Sequence, residues 1–386
     1  MPNPSSRRRL TEFLRTELAA GFALVAAAIA ALLWANLAPG LYHDTWSATL
    51  SLPGPGHDLT VSEWITSGLM AIFFFVVALE IKREIVDGEL RNPRIAAIPV
   101  MGAVGGMIVP AAIYAVATAG SGLGRGWGIP MATDIAFAIG VLRFAGRTAP
   151  RALGLTLLTL AIVDDLGSFV VVALFYSSGL RGAWLLLALG ILAVVALAGR
   201  RLEHPAWFVL PAVALWIVLF RSGVPATLAG VALAFLTPVR SRRGRPILTS
   251  IEHALHPWAS FVVVPLFALA NAGIVISSSA IHHALASEAA VGIVAGRVAG
   301  KVAGIALGVA LARRLGARTS LDRRAITALG FLSGIGLTVS VFIADLSFSG
   351  RELATAKLAV LVSSVVAALL AAVVLRTIRP APGAGT

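Results

Sequence analysis

The chain has 386 residues, 58% of them hydrophobic and only 13% charged, with a mean hydropathy of +0.90. Soluble globular domains carry about 25% charged residues, so a water-soluble fold is excluded for the bulk of this sequence and an integral membrane protein is implied. A net charge of +13 would suit a nucleic-acid partner, but the placement of the basic residues argues otherwise, and the absence of cysteine excludes disulfides and thiolate metal sites.

Apolar runs of about 20 residues, each long enough to cross a hydrocarbon core of ~30 Å as a helix, number about twelve. They fall near residues 14 to 37, 61 to 81, 95 to 118, 127 to 142, 152 to 176, 182 to 199, 205 to 220, 222 to 238, 256 to 276, 289 to 312, 325 to 346 and 354 to 375. The first follows a basic start, as a signal peptide does, but its apolar run exceeds the roughly 7 to 15 residues of a signal h-region, so it reads as an uncleaved first span. Between the first and second spans, SATLSLPGPGHDLTV reads as two short alternating strands around a Pro/Gly turn, a candidate hairpin over residues 45 to 60, with a plain loop as the alternative.

The basic residues alternate between the connections. One set holds Arg7, Arg8, Arg9, Arg15, Lys82, Arg83, Arg91, Arg94, Arg143, Arg147, Arg151, Arg200 and Arg201. It continues with Arg240, Arg242, Arg243, Arg245, Arg313, Arg314, Arg318, Arg323, Arg324, Arg376 and Arg379, which makes 24 of the 31 Lys and Arg residues. By the positive-inside rule both termini are cytoplasmic, the number of crossings is even and the hairpin is external. The charge thus reports topology, and no nucleic-acid partner is expected.

Two spans are interrupted. GWGIPMATDIAFAIG carries Gly126, Gly128 and Pro130 and then Thr133 and Asp134, while FLSGIGLTVSVFIADL carries Gly334 and Gly336 and then Thr338 and Ser340. Backbone that leaves helical geometry at membrane depth must line a cavity or lie buried in protein, because lipid cannot satisfy its N–H and C=O groups. A pair of such spans points to a transporter site built from two structural repeats; glycines that only permit close helix packing are the simpler reading of each alone. In the tenth span Gly292, Gly296, Gly300, Gly304 and Gly308 recur every four residues as a smooth stripe, and beside it Arg297 and Lys301, also four apart, are expected on one face.

Asp134, Asp164, Asp165, Arg297 and Lys301 all fall within spans. Such residues cost about 2.5 to 3.5 kcal/mol at a bilayer centre and usually mark an ion pathway. One structural ion pair would consume one acid and one lysine, yet three acids are present. In LTLAIVDDLGSFVVVALF the two aspartates point about 100° apart on a helix, so one can pair with Lys301 while its neighbour meets water. The carboxylate left free, beside a like charge, can alternate between a proton and a hard cation, and oxygen ligands suit Na⁺. Broken helices would also aim their ends at the site, with Asp134 offsetting the positive ends and Lys301 the negative ones.

The stretches FFFVVALEIKREIVDGEL, GGMIVPA, WGIPMATDIAFAIGVL, LAIVDDLG, SGVPATLAG, EHALHPW, PLFALANAG, AGKVAGI and SGIGLTVSVFIA occur in this order. Together they resemble the bacterial NhaA-type sodium/proton antiporters, themselves among the type examples of inverted-repeat transporters, so the repeat architecture comes with the resemblance. What the resemblance implies is an all-α membrane protein of twelve spans, an electrogenic, pH-regulated antiporter of the inner membrane, without cofactor. Na⁺, Li⁺ and H⁺ would be its ions and a homodimer, joined through the hairpin, its assembly. Its core would use spans within 95 to 176 and 289 to 375, and its interface spans within 14 to 81 and 182 to 276, in one transmembrane domain. Carried over, Asp165 matches the main Na⁺ or Li⁺ carboxylate, Asp164 its neighbour and Lys301 the lysine that pairs with it. Thr133 and Asp134, with Gly334 and Gly336, match the unwound crossing, and Glu80, Glu84, Glu252, His253 and His256 match a cytoplasmic cluster linked to pH response. Three departures stand out: Ser67 where a relative can carry aspartate, Pro225 where histidine is often found, and Arg297, a second cation placed to alter the pairing of Lys301.

Other classes fit less well. An intramembrane aspartyl protease carries its acids on separate helices, and a retinal protein does not need twelve spans. A sodium-coupled solute symporter could share the ion site but calls for a polar cluster to line a solute pocket, and no extra cluster is visible.

Overall fold

The computed structural model describes residues 4–50, 58–146, 149–198, 205–241 and 244–378. Within them the chain is mostly helical, and seven helices are long and apolar enough to cross a membrane: Leu18–Leu37, Val61–Asp87, Ile95–Ala117, Ala152–Phe175, Ile247–Asn271, Glu288–Arg314 and Gly350–Arg376. An eighth crossing is available as the pair Arg323–Ser333 and Thr338–Ser347, bent by 50° at the break between them. This is a multi-pass membrane protein. Outward-facing side chains agree, with Leu186, Leu197, Leu210 and Leu369 all more than half exposed, a surface that water would not tolerate.

The remaining expected spans are shorter. Gly182–Ala198 has 17 residues, Ile135–Ala145 has 11 and Leu228–Leu236 has 9. At 1.5 Å per residue even the longest of these falls a little short of ~30 Å. Hydropathy windows count apolar residues whether or not the backbone stays helical through them, which is why twelve windows become fewer full-length helices.

The Pro/Gly hairpin is a two-residue ladder in which Thr49 pairs with Thr60 and Leu50 with Leu59; its turn, residues 51–57, lies outside the described residues. So do Arg147, Arg200, Arg201, Arg242, Arg243 and Arg379 of the basic set.

The chain divides into two compact units, one of residues 1–26, 92–168 and 274–386, the other of residues 27–91 and 169–273. In the first, the helix Pro93–Ala117 packs along the tenth expected span as the glycine stripe predicts. A Cβ at Gly304 would strike the carbonyl of Gly105, and one at Gly308 the carbonyl of Met101. Lipid is as apolar as a leucine side chain, so burial against a neighbouring helix gains little transfer energy and close backbone approach carries the stability instead. Leu157, Leu160, Ile305, Leu329 and Leu332, all fully buried, fill the space around that contact.

In the second unit the helix Leu228–Leu236 lies against Met70–Asp87, with Gly230 over the carbonyl of Ala71. Trp64 stacks on Trp216 with ring centroids 5.4 Å apart, and the Tyr42 hydroxyl meets the carbonyls of Leu269 and Ala270, both at 2.9 Å. Ser67 sits in a π-helical turn, Trp64–Leu69, donating to the carbonyl of Glu63 at 2.7 Å.

Candidate functional site

The interrupted spans meet inside the first unit. After a 3₁₀ turn over Gly124–Gly128 the chain runs unwound through Ala132 and Thr133 to Asp134, which caps the helix Ile135–Ala145 by accepting from the N–H of Phe137 at 3.4 Å. The other break follows Ser333, at the end of Arg323–Ser333, and closes at Thr338.

Each break satisfies the other. The Asp134 N–H donates to the carbonyl of Ile335 at 2.9 Å, and the Ser340 hydroxyl donates to the carbonyl of Ile129 at 3.0 Å. The Thr338 hydroxyl donates to Asp134 at 3.0 Å. Backbone groups that lipid could not satisfy are thereby paired inside protein. Glycine is needed for the approach, because a Cβ on Gly336 would press on the carbonyl of Ala132 and one on Gly334 on the carbonyl of Arg297.

Beside this crossing the helix Arg151–Phe175 brings Asp164 and Asp165. Asp164 and Lys301 are both fully buried, with Nζ 2.6 Å from Oδ2. The Thr133 hydroxyl lies 2.6 Å from the same Oδ2 and 2.7 Å from the carbonyl of Ser333, so its one proton serves one acceptor at a time, and Lys301 donates to it at 3.2 Å. Asp165 is 5% exposed. Thr133, Asp134, Asp164, Lys301, Gly334 and Gly336 therefore belong to one constellation, with Asp165 next to Asp164 on the same helix.

Arg297 departs from expectation. Four-residue spacing predicts that it shares a face with Lys301, but the backbone from Gly296 to Gly300 is π-helical, which lowers the rotation per residue. The two cations part company. Lys301 turns to Asp164, whereas Arg297 reaches Gly334, Gly336 and Ser340, so Arg297 does not displace the lysine from its acid. It is also Arg297, rather than Lys301, that meets the carbonyl end of the broken helix.

Three polar atoms here are buried without a hydrogen-bond partner: Asp164 Oδ1, Ser168 Oγ and Ser333 Oγ. Ser168 stands one turn beyond Asp164, on the same face of the helix. Its spacing from the aspartates was visible in the sequence, but one serine among apolar residues carries no signal of its own. Ser333 gave none either. A second acid–amine pair, Lys357 with Asp345 at 2.8 Å, joins Thr338–Ser347 to Gly350–Arg376.

The residues matched to pH response lie in the second unit. Between Met70–Asp87 and Ile247–Trp258, Glu80 faces His256 at 3.5 Å, and Glu252, 2% exposed, pairs with Arg83. Glu84 is half-buried one turn beyond Glu80, and His253 is exposed. Arg83 and Lys82 complete the cluster, the latter donating to the carbonyls of Phe235 and Thr237 at 2.6 and 2.5 Å.

Residues 11–375 match the family described as Na⁺/H⁺ antiporter 1. A relative from Saccharopolyspora erythraea, Na⁺/H⁺ antiporter NhaA 1, is 44% identical over 94% of this chain and 90% of its own length. The Na⁺/H⁺ antiporter NhaA of Cronobacter sakazakii is 41% identical over 96% of this chain and 98% of its own. That of Escherichia coli is 40% identical over 94% of this chain and 96% of its own.

Proposed function

This chain belongs to the Na⁺/H⁺ antiporter 1 family, a family of transporters and not of enzymes, and we propose that it exchanges cytoplasmic Na⁺ or Li⁺ for external H⁺ by alternating access. The carrying observation is the buried constellation around Asp164, where an acid pair, a lysine and three oxygens without protein partners gather at the crossing of two broken helices. A buried acceptor without a partner costs about 1–3 kcal/mol. A hard cation repays that cost, since Na⁺ takes oxygen ligands.

Asp165 and Asp164 supply the carboxylate ligands, and Ser168 and Ser333 add neutral oxygens. A proton and a cation compete for the same carboxylates, because two like charges side by side are stable only when something neutralises them. Lys301 stands against Asp164 and gives up its contact, and with it a proton, as the cation arrives; more than one proton then moves per Na⁺, and exchange is electrogenic. Asp134 and Arg297 stay charged and hold the crossing.

In this reading the membrane is the bacterial inner membrane, the chain crosses it twelve times with both termini in the cytoplasm, and the short helices pass through as partial spans. The pairs Glu80–His256 and Arg83–Glu252, with Glu84 and His253, couple pH to activity, and the hairpin joins a homodimer. The ions are cargo; no cofactor takes part.

The test is Na⁺-induced dequenching of a pH-sensitive dye in inside-out vesicles, scanned from pH 6 to 9. Proton flux that follows added Na⁺ without any solute, and rises with pH, supports the exchange. Flux that appears only with an added organic solute would move the chain to a sodium-coupled symporter.

A further inference from the structure

Arg297 is fully buried. Its Nε donates to the carbonyl of Gly334 at 3.2 Å, its Nη1 to the Ser340 hydroxyl at 2.6 Å, and its Nη2 to the carbonyl of Gly336 at 2.7 Å and the Ser364 hydroxyl at 3.5 Å. Both carbonyls lie just past the end of Arg323–Ser333, where the last C=O groups of a helix lack intrahelical donors and the dipole leaves about half a negative charge. A planar guanidinium carries five N–H donors in a fixed fork and meets four acceptors here, more than the three donors of an ammonium can serve. Burying it is costly unless its donors are met, and here they are met by two carbonyls of the break and by the hydroxyls of Ser340 and Ser364.

The next carbonyl upstream, that of Ser333, accepts from Thr133, whose hydroxyl also touches Asp164. The carbonyl between Gly334 and Gly336, that of Ile335, accepts from Asp134. Arg297 therefore grips the segment on which the placement of Thr133 and Asp134 depends. Ser364 reinforces the grip by donating to the carbonyl of Gly336 at 2.7 Å.

We infer that Arg297 is a positioning residue of the ion site: it is the fixed cation of the crossing, it satisfies the carbonyl end of the broken helix, and it frees Lys301 to act on the carboxylates alone. The inference rests on the exchange proposed above. Two cations one turn apart thus divide two tasks, one holding geometry and the other exchanging partners.

The experiment compares Arg297→Gln, Arg297→Lys and Lys301→Gln in the full chain, reconstituted in vesicles, by two readouts. The first is the apparent KM for Na⁺ in proton flux, which does not depend on how much protein folds. Arg297→Gln should raise it at least tenfold, and Arg297→Lys should fall between that variant and the unmodified chain. The second is amide hydrogen exchange of residues 331–340, which needs no transport. Arg297→Gln should speed exchange there more than Lys301→Gln does.

A KM within twofold of the unmodified chain with unchanged exchange in Arg297→Gln would overturn the inference. So would a Lys301→Gln variant that opens residues 331–340 as much. If Arg297→Gln cannot be purified, Ser340→Ala removes one acceptor of the guanidinium and should give the same changes at about threefold in KM; no change in either readout would overturn the inference. An unmodified chain that moves no protons with Na⁺ would defeat the exchange reading, while hydrogen exchange would still decide the role of Arg297.

Discussion

Removing one partner of the Asp164–Lys301 pair should cost far more than removing both. The two side chains are fully buried and 2.6 Å apart. In Asp164→Asn the amide can still accept from Thr133, but the Lys301 ammonium is left without its carboxylate. A buried charge stripped of its partner costs about 3–5 kcal/mol. For a domain of 150–250 residues each kcal/mol shifts unfolding by about 2–4 °C, which amounts to a fall of roughly 6–20 °C. Lys301→Met should fall by a similar amount, because Asp164 is then the unpaired group. In the double variant no charge is stranded, methionine fills the volume of the lysine stem and the asparagine amide can still meet Thr133, so the penalty of an uncompensated buried charge is gone. The double variant should therefore unfold closer to the unmodified chain than either single variant does. The assay is thermal unfolding of detergent-purified protein at one pH, read as a double-mutant cycle. A double variant that loses the sum of the two single losses would refute the reasoning, since it would mean that the two residues act independently.

Asp165→Asn should abolish Na⁺-driven proton flux in inside-out vesicles; retained flux with unchanged apparent Na⁺ affinity would remove Asp165 from the ion site. Ser168→Ala deletes a buried hydroxyl that has no protein partner, so unfolding temperature should hold or rise while the apparent KM for Na⁺ increases about 2- to 10-fold, the equivalent of one hydrogen-bond-sized interaction; a drop in stability with unchanged KM would count against Ser168 as a ligand. Gly304→Ala places a Cβ on the carbonyl of Gly105 and should destabilise by about 1–3 kcal/mol. Gly140→Ala meets nothing within 4 Å and should gain up to about 1 kcal/mol in helix propensity; equal unfolding temperatures for these two variants would contradict the close approach of helices along the glycine stripe.

Much of this protein is legible in one dimension. Lipid imposes its own solvent rule on every residue that crosses it, so hydropathy marks the spans, and an acid inside a span announces a site because burying it is costly. For the same reason Asp134, Asp164, Asp165 and Lys301 stand out without any knowledge of the fold. The glycine stripe could be read too, since a four-residue period lies along one helix face, and the structure sets Gly304 and Gly308 against backbone of Pro93–Ala117.

Tertiary structure decided the rest. Helix length through the sixth to eighth windows depends on where the backbone stops being helical, which composition does not record. The resemblance pairs Lys301 with Asp164, but nothing in the sequence tells where Arg297 goes: a single π-helical turn at Gly296–Gly300 separates it from Lys301, and its effect shows only in what each side chain can reach. Ser168, Ser333 and Ser364 are ordinary residues in the sequence and gain meaning from neighbours as many as 200 positions away, as when the Thr133 hydroxyl meets the carbonyl of Ser333. A sequence declares the cost of burying a charge, because that cost belongs to the residue. It is silent on the partner that offsets the cost, because the partner is supplied by the fold.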